Sequence, residues 1–149
     1  MKRAFVTGGS GFVGRNLIRG LHERGMEVRA LARSDKAVSA VRDAGAEPIR
    51  GDLDAVEAMR EGMAGCDVVF HAAAVVTLWG DPDYFHRVNV QGTRNVIEAV
   101  RAALVPRLVH VSTEALLSGD GRPIVDADET WPYPNKPAGL YPETKGLAE

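Results

Sequence analysis

The sequence has almost no cysteine. Cys66 is the only one, so no disulfide can close within the chain, and a reducing cytoplasm is the expected setting. It also lacks a basic excess. The 18 Lys and Arg residues stand against 20 Asp and Glu, a net charge of −2, which argues against nucleic acid or an anionic membrane as the main partner. Long apolar runs are missing as well. The longest, Val68 to Val76, is interrupted by His71 and falls far short of the ~20 residues a membrane helix needs. Met1-Lys2-Arg3 opens like a secretory leader, but only Ala4, Phe5 and Val6 precede Thr7-Gly8-Gly9, against the about 7–15 apolar residues such a leader requires. His71, His86 and His110 make no metal-ligand spacing with Cys66, and His71 and His110 read as core or strand-end residues. No internal repeat or low-complexity segment is found. What remains is 149 residues, 45% hydrophobic and 26% charged. A chain of about 150 residues buries roughly 70% of its unfolded surface, enough for one core. The expectation is one soluble cytoplasmic domain.

Apolar runs alternate with helical patterns from the start. Ala4-Phe5-Val6 reads as a buried strand, and Phe12, Val13, Leu17, Ile18 and Leu21 recur at helical spacing until Gly25. Val28, Ala30 and Leu31 make a second strand, followed by a helix carrying Ala37, Val38 and Val41 and ending near Gly45. Pro48-Ile49-Arg50 is a third strand, and Asp54 is the expected N-cap of a helix through Met63. Asp67 to Ala72 is a fourth strand. Asp81 caps one long helix with Pro82 at its first position and Val88, Val96, Ile97 and Val100 along it. Arg107 to Val111 is the fifth strand. This alternation predicts an α/β fold, a doubly wound parallel sheet with helices on both faces. The stretch from Leu117 to Leu140, rich in Gly, Pro and Asp, has little periodicity, which predicts a functional or disordered loop.

Thr7-Gly8-Gly9-Ser10-Gly11-Phe12-Val13-Gly14 lies between the first strand and the first helix. Gly8 permits the tight turn, Gly11 lets backbone N–H groups approach a pyrophosphate at the helix N-terminus, and Gly14 lets the helix pack closely on the sheet. A glycine run alone is weak evidence, because turns use glycine for ordinary backbone reasons. Placed after a strand and before a helix in a βαβ unit, it points to a dinucleotide. The rival nucleoside-triphosphate loop fails, since Arg15 and Asn16 occupy the places where that loop needs Lys and Ser or Thr. Ser10 does not belong to a nucleophile elbow either, because Phe12 stands where its last glycine should be.

A site for NAD places a carboxylate at the end of the second strand to hold the ribose 2′-hydroxyl. Here the region reads Ala30-Leu31-Ala32-Arg33-Ser34, with no acid at that place and with a guanidinium fork at Arg33 suited to a 2′-phosphate. NADP is therefore the expected cofactor, with NAD as the alternative and a solvated strand end as the plain explanation of Arg33. Asp52, in Gly51-Asp52-Leu53, can accept a hydrogen bond from an adenine amino group, or else cap the next helix. Ala72-Ala73-Ala74 are small enough for a cofactor to lie against their backbone. Ligands of open parallel sheets bind at the carboxyl ends of strands, so Gly8, Arg33, Asp52, Ala72 and Thr113 point to one crevice.

Tyr141 and Lys145 stand four residues apart, on one face of a helix. A lysine ammonium ~5 Å from a phenol, at an effective dielectric of ~20, favours the phenolate by about 3 kcal/mol. That brings a phenol into the range useful for acid–base catalysis near neutral pH. Thr113, just after the fifth strand, can hydrogen-bond a substrate oxygen. Trp79 and Trp131 line the substrate side or simply pack.

Taken together, Thr7 to Gly14, Asp52-Leu53, His71-Ala72-Ala73-Ala74, Asn89-Val90-Gln91-Gly92-Thr93, Val111-Ser112-Thr113 and Tyr141-(x)3-Lys145 resemble the extended short-chain dehydrogenase/reductases. This is the group of NAD(P)-dependent epimerases, dehydratases and reductases. The run from His71 through Trp79 to Asn89 and the ending Tyr141 to Glu149 look most similar to its dihydroflavonol-reductase and 3β-hydroxysteroid-dehydrogenase branch. The resemblance implies a Rossmann-type fold and hydride transfer between nicotinamide C4 and a carbonyl or secondary alcohol. It implies that Tyr141 donates or accepts the proton and that Lys145 tunes it and holds the nicotinamide ribose. Thr113 would orient the substrate oxygen, Asn89 would bind the cofactor, and the backbone N–H groups of Phe12 and Val13 would lie under the pyrophosphate.

A sugar-nucleotide epimerase or dehydratase would use the same residues, and a non-catalytic NADP-sensing domain would keep the fold without needing the Tyr–Lys pair. Three features depart from the family pattern. Pro142 disfavours helical φ/ψ at Tyr141, Glu114 puts a charge beside Thr113, and members of the family run to about twice this length. The expectation is thus a truncated dinucleotide-binding domain over residues 1–149 without the substrate-binding region. The resemblance also implies a small-molecule substrate, and a homodimer through the helix from Pro82 and the one beginning at Tyr141, where the family often dimerises.

Overall fold

The computed structural model describes residues 1–121 and 123–149. In chain order the elements are β1 (Arg3–Thr7), α1 (Phe12–Glu23), β2 (Glu27–Ala32), α2 (Asp35–Asp43), β3 (Glu47–Arg50), α3 (Val56–Met63), β4 (Val68–His71), α4 (Pro82–Phe85), a π-helical segment (His86–Gln91), α5 (Gly92–Ala102), β5 (Leu108–His110), a 3₁₀ turn (Glu114–Leu117) and α6 (Leu140–Ala148). They form two compact units. The first holds Met1–Ala74 and Gly92–Val111, the second Val75–Gln91 and Ser112–Glu149.

The first unit is a five-stranded sheet of order β3-β2-β1-β4-β5, parallel throughout, as the alternation of strands and helices predicts. Side chains alternate across a strand, so β1 feeds two cores at once. Ala4 and Val6 pack on one face with Ile18 and Leu21 of α1 and Val41 of α2. Phe5 points to the other face, among Met59 and Met63 of α3 and Val96 and Val100 of α5. Both faces of β1 are thus dry, which explains why it reads as a continuous apolar run. Strand order reverses between β1 and β4, since β2 lies to one side of β1 and β4 to the other.

The second unit is built on α6. This helix packs against the π-helical segment, against α4 and against the 3₁₀ turn. The stretch 117–140 is largely irregular. An isolated antiparallel bridge joins Gly119 to Pro137, and the Asp120 carboxylate accepts from the backbone N–H groups of Asn135 at 3.0 Å and Lys136 at 3.1 Å. Arg122, within that stretch, lies outside the described residues.

Three expectations change. The helix expected to be capped by Asp54 begins at Val56, after Ala55 as its N-cap and with no side chain capping it. Asp52 instead accepts from the Asp54 N–H at 3.0 Å, which makes a turn of those residues. The single long helix expected from Pro82 is three segments. A π turn interrupts it at His86–Gln91, where the Asn89 side chain is taken up by hydrogen bonds outside the helix. Pro142 does not push Tyr141 out of the helix, because α6 begins one residue earlier, at Leu140. The proline ring therefore falls in the first turn, where no backbone N–H is required of it.

Candidate functional site

In the first unit the glycine loop bridges the end of β1 and the start of α1. Gly8 has φ +72°, and a Cβ there would lie 2.7 Å from the backbone of Ala72 and Ala73. The loop and the end of β4 therefore touch backbone to backbone. The Gly11 N–H donates to the Gly8 carbonyl at 3.0 Å, closing the turn. Gly11 is also the N-cap of α1, and no side chain caps that helix. The first-turn amide groups, including those of Phe12 and Val13, are left for water or an anionic group. The side chains of Ser10, Phe12 and Val13 are exposed. The donors and the open space fit a pyrophosphate, and they lie where ligands of such sheets bind, outside the carboxyl ends of the strands where their order reverses.

Arg33 follows the last residue of β2, is exposed, and makes no ion pair among the described residues. Next to it, Ser34 caps α2 by accepting from the Ala37 N–H at 3.2 Å. Asp35, the nearest acid, is paired with Arg50 at the end of β3. Asp52 is exposed beyond β3, and Leu53 packs against Gly92 at the start of α5 while its carbonyl accepts from Asn95. Ala72, Ala73 and Ala74 continue from β4, half-buried. Gly8, Arg33, Asp52 and Ala72 thus share one end of the sheet, as four of the five strand ends were expected to do. A hollow of about 450 Å³ lined by His22, Met26, Glu27 and Glu47 lies at the opposite end of β2 and β3 and involves none of these residues.

Thr113 belongs to the second unit. Its hydroxyl oxygen accepts from the Ala115 N–H at 3.2 Å, capping the 3₁₀ turn. Its proton is directed at the Glu114 carboxylate, 3.3 Å away. Tyr141 and Lys145 lie one helical turn apart on α6. The tyrosine is half-buried and the lysine 3% exposed. Burial pushes the Lys145 ammonium below the ordinary lysine range, and the Glu149 carboxylate offsets part of that shift. Glu149 accepts in turn from Ser112 and Tyr133, and the bond to Glu149 holds the Tyr133 phenol above its usual value.

Asn89 is 2% exposed. Its side-chain oxygen accepts from the Val75 N–H at 2.8 Å, and its amide donates to the Val75 carbonyl at 3.1 Å and to Thr144 Oγ1 at 3.0 Å. Its side chain therefore ties the chain beyond the alanines to the turn of α6 that carries Lys145. Thr144, fully buried, was invisible in the sequence as part of this arrangement. Its hydroxyl donates to the Leu140 carbonyl at 2.7 Å, and its position beside Lys145 was the only available signal. Among the described residues no group of three or more His, Cys, Asp or Glu could hold a metal ion, and no helix is long and apolar enough to cross a membrane.

A family model described as the 3-beta hydroxysteroid dehydrogenase/isomerase family matches residues 5–149. A 4-hydroxy-2-methyl-3-oxo-4-farnesyl-3,4-dihydroquinoline-1-oxide ketoreductase of Stigmatella aurantiaca is 53% identical over 147 residues, 99% of this chain and 44% of the relative. A 2-alkyl-3-oxoalkanoate reductase of Stenotrophomonas maltophilia is 42% identical over 149 residues, 99% of this chain and 44% of its own length. Among solved structures, MoeE5 in complex with UDP-glucose and NAD superimposes with a TM-score of 0.78 at 29% identity, over 98% of this chain and 46% of that one. The chain thus spans less than half the length of these relatives.

Proposed function

Because the chain belongs to the 3-beta hydroxysteroid dehydrogenase/isomerase family, within the extended short-chain dehydrogenase/reductases, we propose that it carries the dinucleotide-binding and acid–base residues of an NADP-preferring ketone reductase. When bound, the dinucleotide supplies a hydride at nicotinamide C4. The chain's own residues do the rest. The uncapped first turn of α1 would bind the pyrophosphate with the amides of Phe12 and Val13, and Gly8 and Gly14 let the loop seat against Ala72 and Ala73 and under the helix. Arg33 binds the 2′-phosphate, which meets no competing carboxylate because Asp35 is held by Arg50. Asp52 would hold the adenine amino group, and the backbone of Ala72, Ala73 and Ala74 would hold the cofactor beside it.

Tyr141 would protonate the carbonyl oxygen of a bound ketone, and the Lys145 ammonium would stabilise the phenolate left behind. Thr113 donates its hydroxyl proton to the same oxygen, exchanging its bond to Glu114 for one to the substrate. The observation that carries this reading is the pair on α6. A lysine buried to 3% exposure, one turn from a half-buried tyrosine, is costly to keep and has a direct use in acid–base chemistry. That the two relatives are named a ketoreductase and an oxoalkanoate reductase favours reduction over epimerisation. The test is ketone-dependent NADPH oxidation with alkyl β-keto esters as probes. Tyr141→Phe should lower turnover by about 10²–10⁴-fold with NADPH binding retained. Full turnover in that variant would overturn the mechanism.

A further inference from the structure

His71 ends β4 with 1% exposure, in the first unit, and no step above uses it. Its Nδ1 lies 2.6 Å from Thr7 Oγ1 and its Nε2 lies 2.9 Å from Thr93 Oγ1. Thr7 is the last residue of β1, immediately before Gly8, and Thr93 is in the first turn of α5. Both threonines are buried. On the remaining side the His110 ring of β5 packs against His71 with centroids 5.2 Å apart. One imidazole therefore stands among four elements, next to the turn that the dinucleotide reading depends on.

One placement of protons satisfies these bonds together. The Thr7 hydroxyl oxygen accepts from the Ala73 N–H at 3.3 Å. The hydroxyl has one proton to donate, and His71 Nδ1 is placed to accept it. With Nδ1 accepting, the ring is the neutral tautomer with its proton on Nε2, aimed at Thr93 Oγ1. The chain of donors thus runs from Ala73 N–H to Thr7, with the Thr7 proton going to His71 and the ring proton to Thr93.

This arrangement matters because of the seam it sits behind. Gly8 and the Ala72–Ala73 backbone approach so closely that no Cβ fits between them. No side chain at Gly8 can lock the loop to β4. The polar ties are the Ala72 N–H to the Thr7 carbonyl, at 3.3 Å, and the Ala73 N–H to the Thr7 hydroxyl. The second tie exists only while that hydroxyl keeps a lone pair turned toward Ala73, and the acceptor on His71 sets its rotation.

We propose that His71 is a positioning residue for the dinucleotide. As a neutral acceptor it orients Thr7, and so holds the entry of the glycine loop against Ala72 and Ala73 in the geometry that binds the pyrophosphate. The proposal rests on the dinucleotide reading above. It is tested on the 149-residue chain by fluorescence titration with NADPH, comparing wild type with His71→Leu, His71→Asn and Thr93→Val, and by ¹⁵N NMR of the histidine rings. His71→Leu keeps the bulk and loses both bonds, and should weaken NADPH binding at least tenfold. His71→Asn places an amide oxygen where Nδ1 stood and should recover most of that loss, which a purely space-filling role would not do. Thr93→Val should weaken binding by a smaller factor, and the wild-type ring should show a protonated Nε2 and a bare Nδ1. Binding within twofold of wild type in His71→Leu, no recovery in His71→Asn, or a proton on Nδ1 would each overturn the assignment. If His71→Leu does not fold, Thr93→Val and the tautomer decide it. A wild-type chain that is folded and binds neither NADPH nor NADH overturns the dinucleotide reading and this inference together. A wild type that binds, beside variants that bind equally well, overturns only the role of His71.

Discussion

A Cβ added to Gly14 would lie 2.1 Å from the carbonyl oxygen of Gly8. The first turn of α1 is thus seated directly on the turn that precedes it, and that seating brings the helix amides to the carboxyl end of β1. Gly14→Ala must push the helix off the loop. It should cost about 1–3 kcal/mol, as overpacking of a tight contact does, and weaken NADPH binding. Gly20→Ala, in the same helix, is the control. There the new methyl would meet only the far end of Arg24, at 3.3 Å, and the better helix former should gain about 0.5–1 kcal/mol. Urea melts of the two variants check this. Equal losses would mean that the Gly14–Gly8 contact is not what excludes the side chain.

Arg33→Ala should weaken NADPH binding by about 10–100-fold, the worth of a charged hydrogen bond of roughly 1.5–3 kcal/mol, and leave NADH nearly unchanged. Titrations with both dinucleotides decide the matter. Equal loss for both, or no loss for NADPH, would remove Arg33 from the 2′-phosphate.

Lys145 links function to stability. Burial holds its ammonium below the ordinary value of 10.5, so the unfolded chain binds this proton more tightly than the folded one. Its cost to folding is largest below the folded pKa and is relieved as pH rises through that value toward the unfolded one. Lys145→Met should therefore melt above wild type at neutral pH, with a gap that narrows as pH rises toward the ordinary lysine range, while turnover is lost. Thermal melts across that range measure the gap. A variant less stable at every pH would show that the lysine's contacts outweigh its desolvation.

Asp67, just before β4, contributes to the acid limb. Asp67 accepts from the backbone N–H groups of Arg3 and Lys2, which hold its carboxyl below the usual aspartate value. Its contribution is present above the unfolded value of about 3.9 and is lost as pH falls through the folded one. Asp67→Ala should flatten that part of the stability–pH curve and leave the neutral-to-basic part parallel to wild type. An unchanged acid limb in the variant would assign acid unfolding to other carboxylates.

Much of this was legible in the residues. The glycine spacing, the strand–helix alternation and the Tyr141–Lys145 interval each depend on local backbone geometry, which is why the sheet, the loop and the α6 pair could be read without coordinates. The misreadings were of a different kind. Asp54 looked like a cap because caps are recognised by residue type, but Asp52 draws the Asp54 amide into a turn and Ala55 takes the N-cap position. The helix from Pro82 looked unbroken because apolar residues recur along it on both sides of the π turn.

Local geometry, then, was the part the sequence determined by itself: where most strands and helices fall, that a glycine loop joins β1 to α1, and that Tyr141 and Lys145 stand one turn apart on α6. Partnerships between distant residues were decided only by tertiary structure. His71 meets Thr7 across 64 residues and Asn89 meets Thr144 across 55, and no periodicity encodes either. The physical reason is burial. A polar group sealed from water must find its partner wherever packing has brought one, and packing is a property of the whole fold.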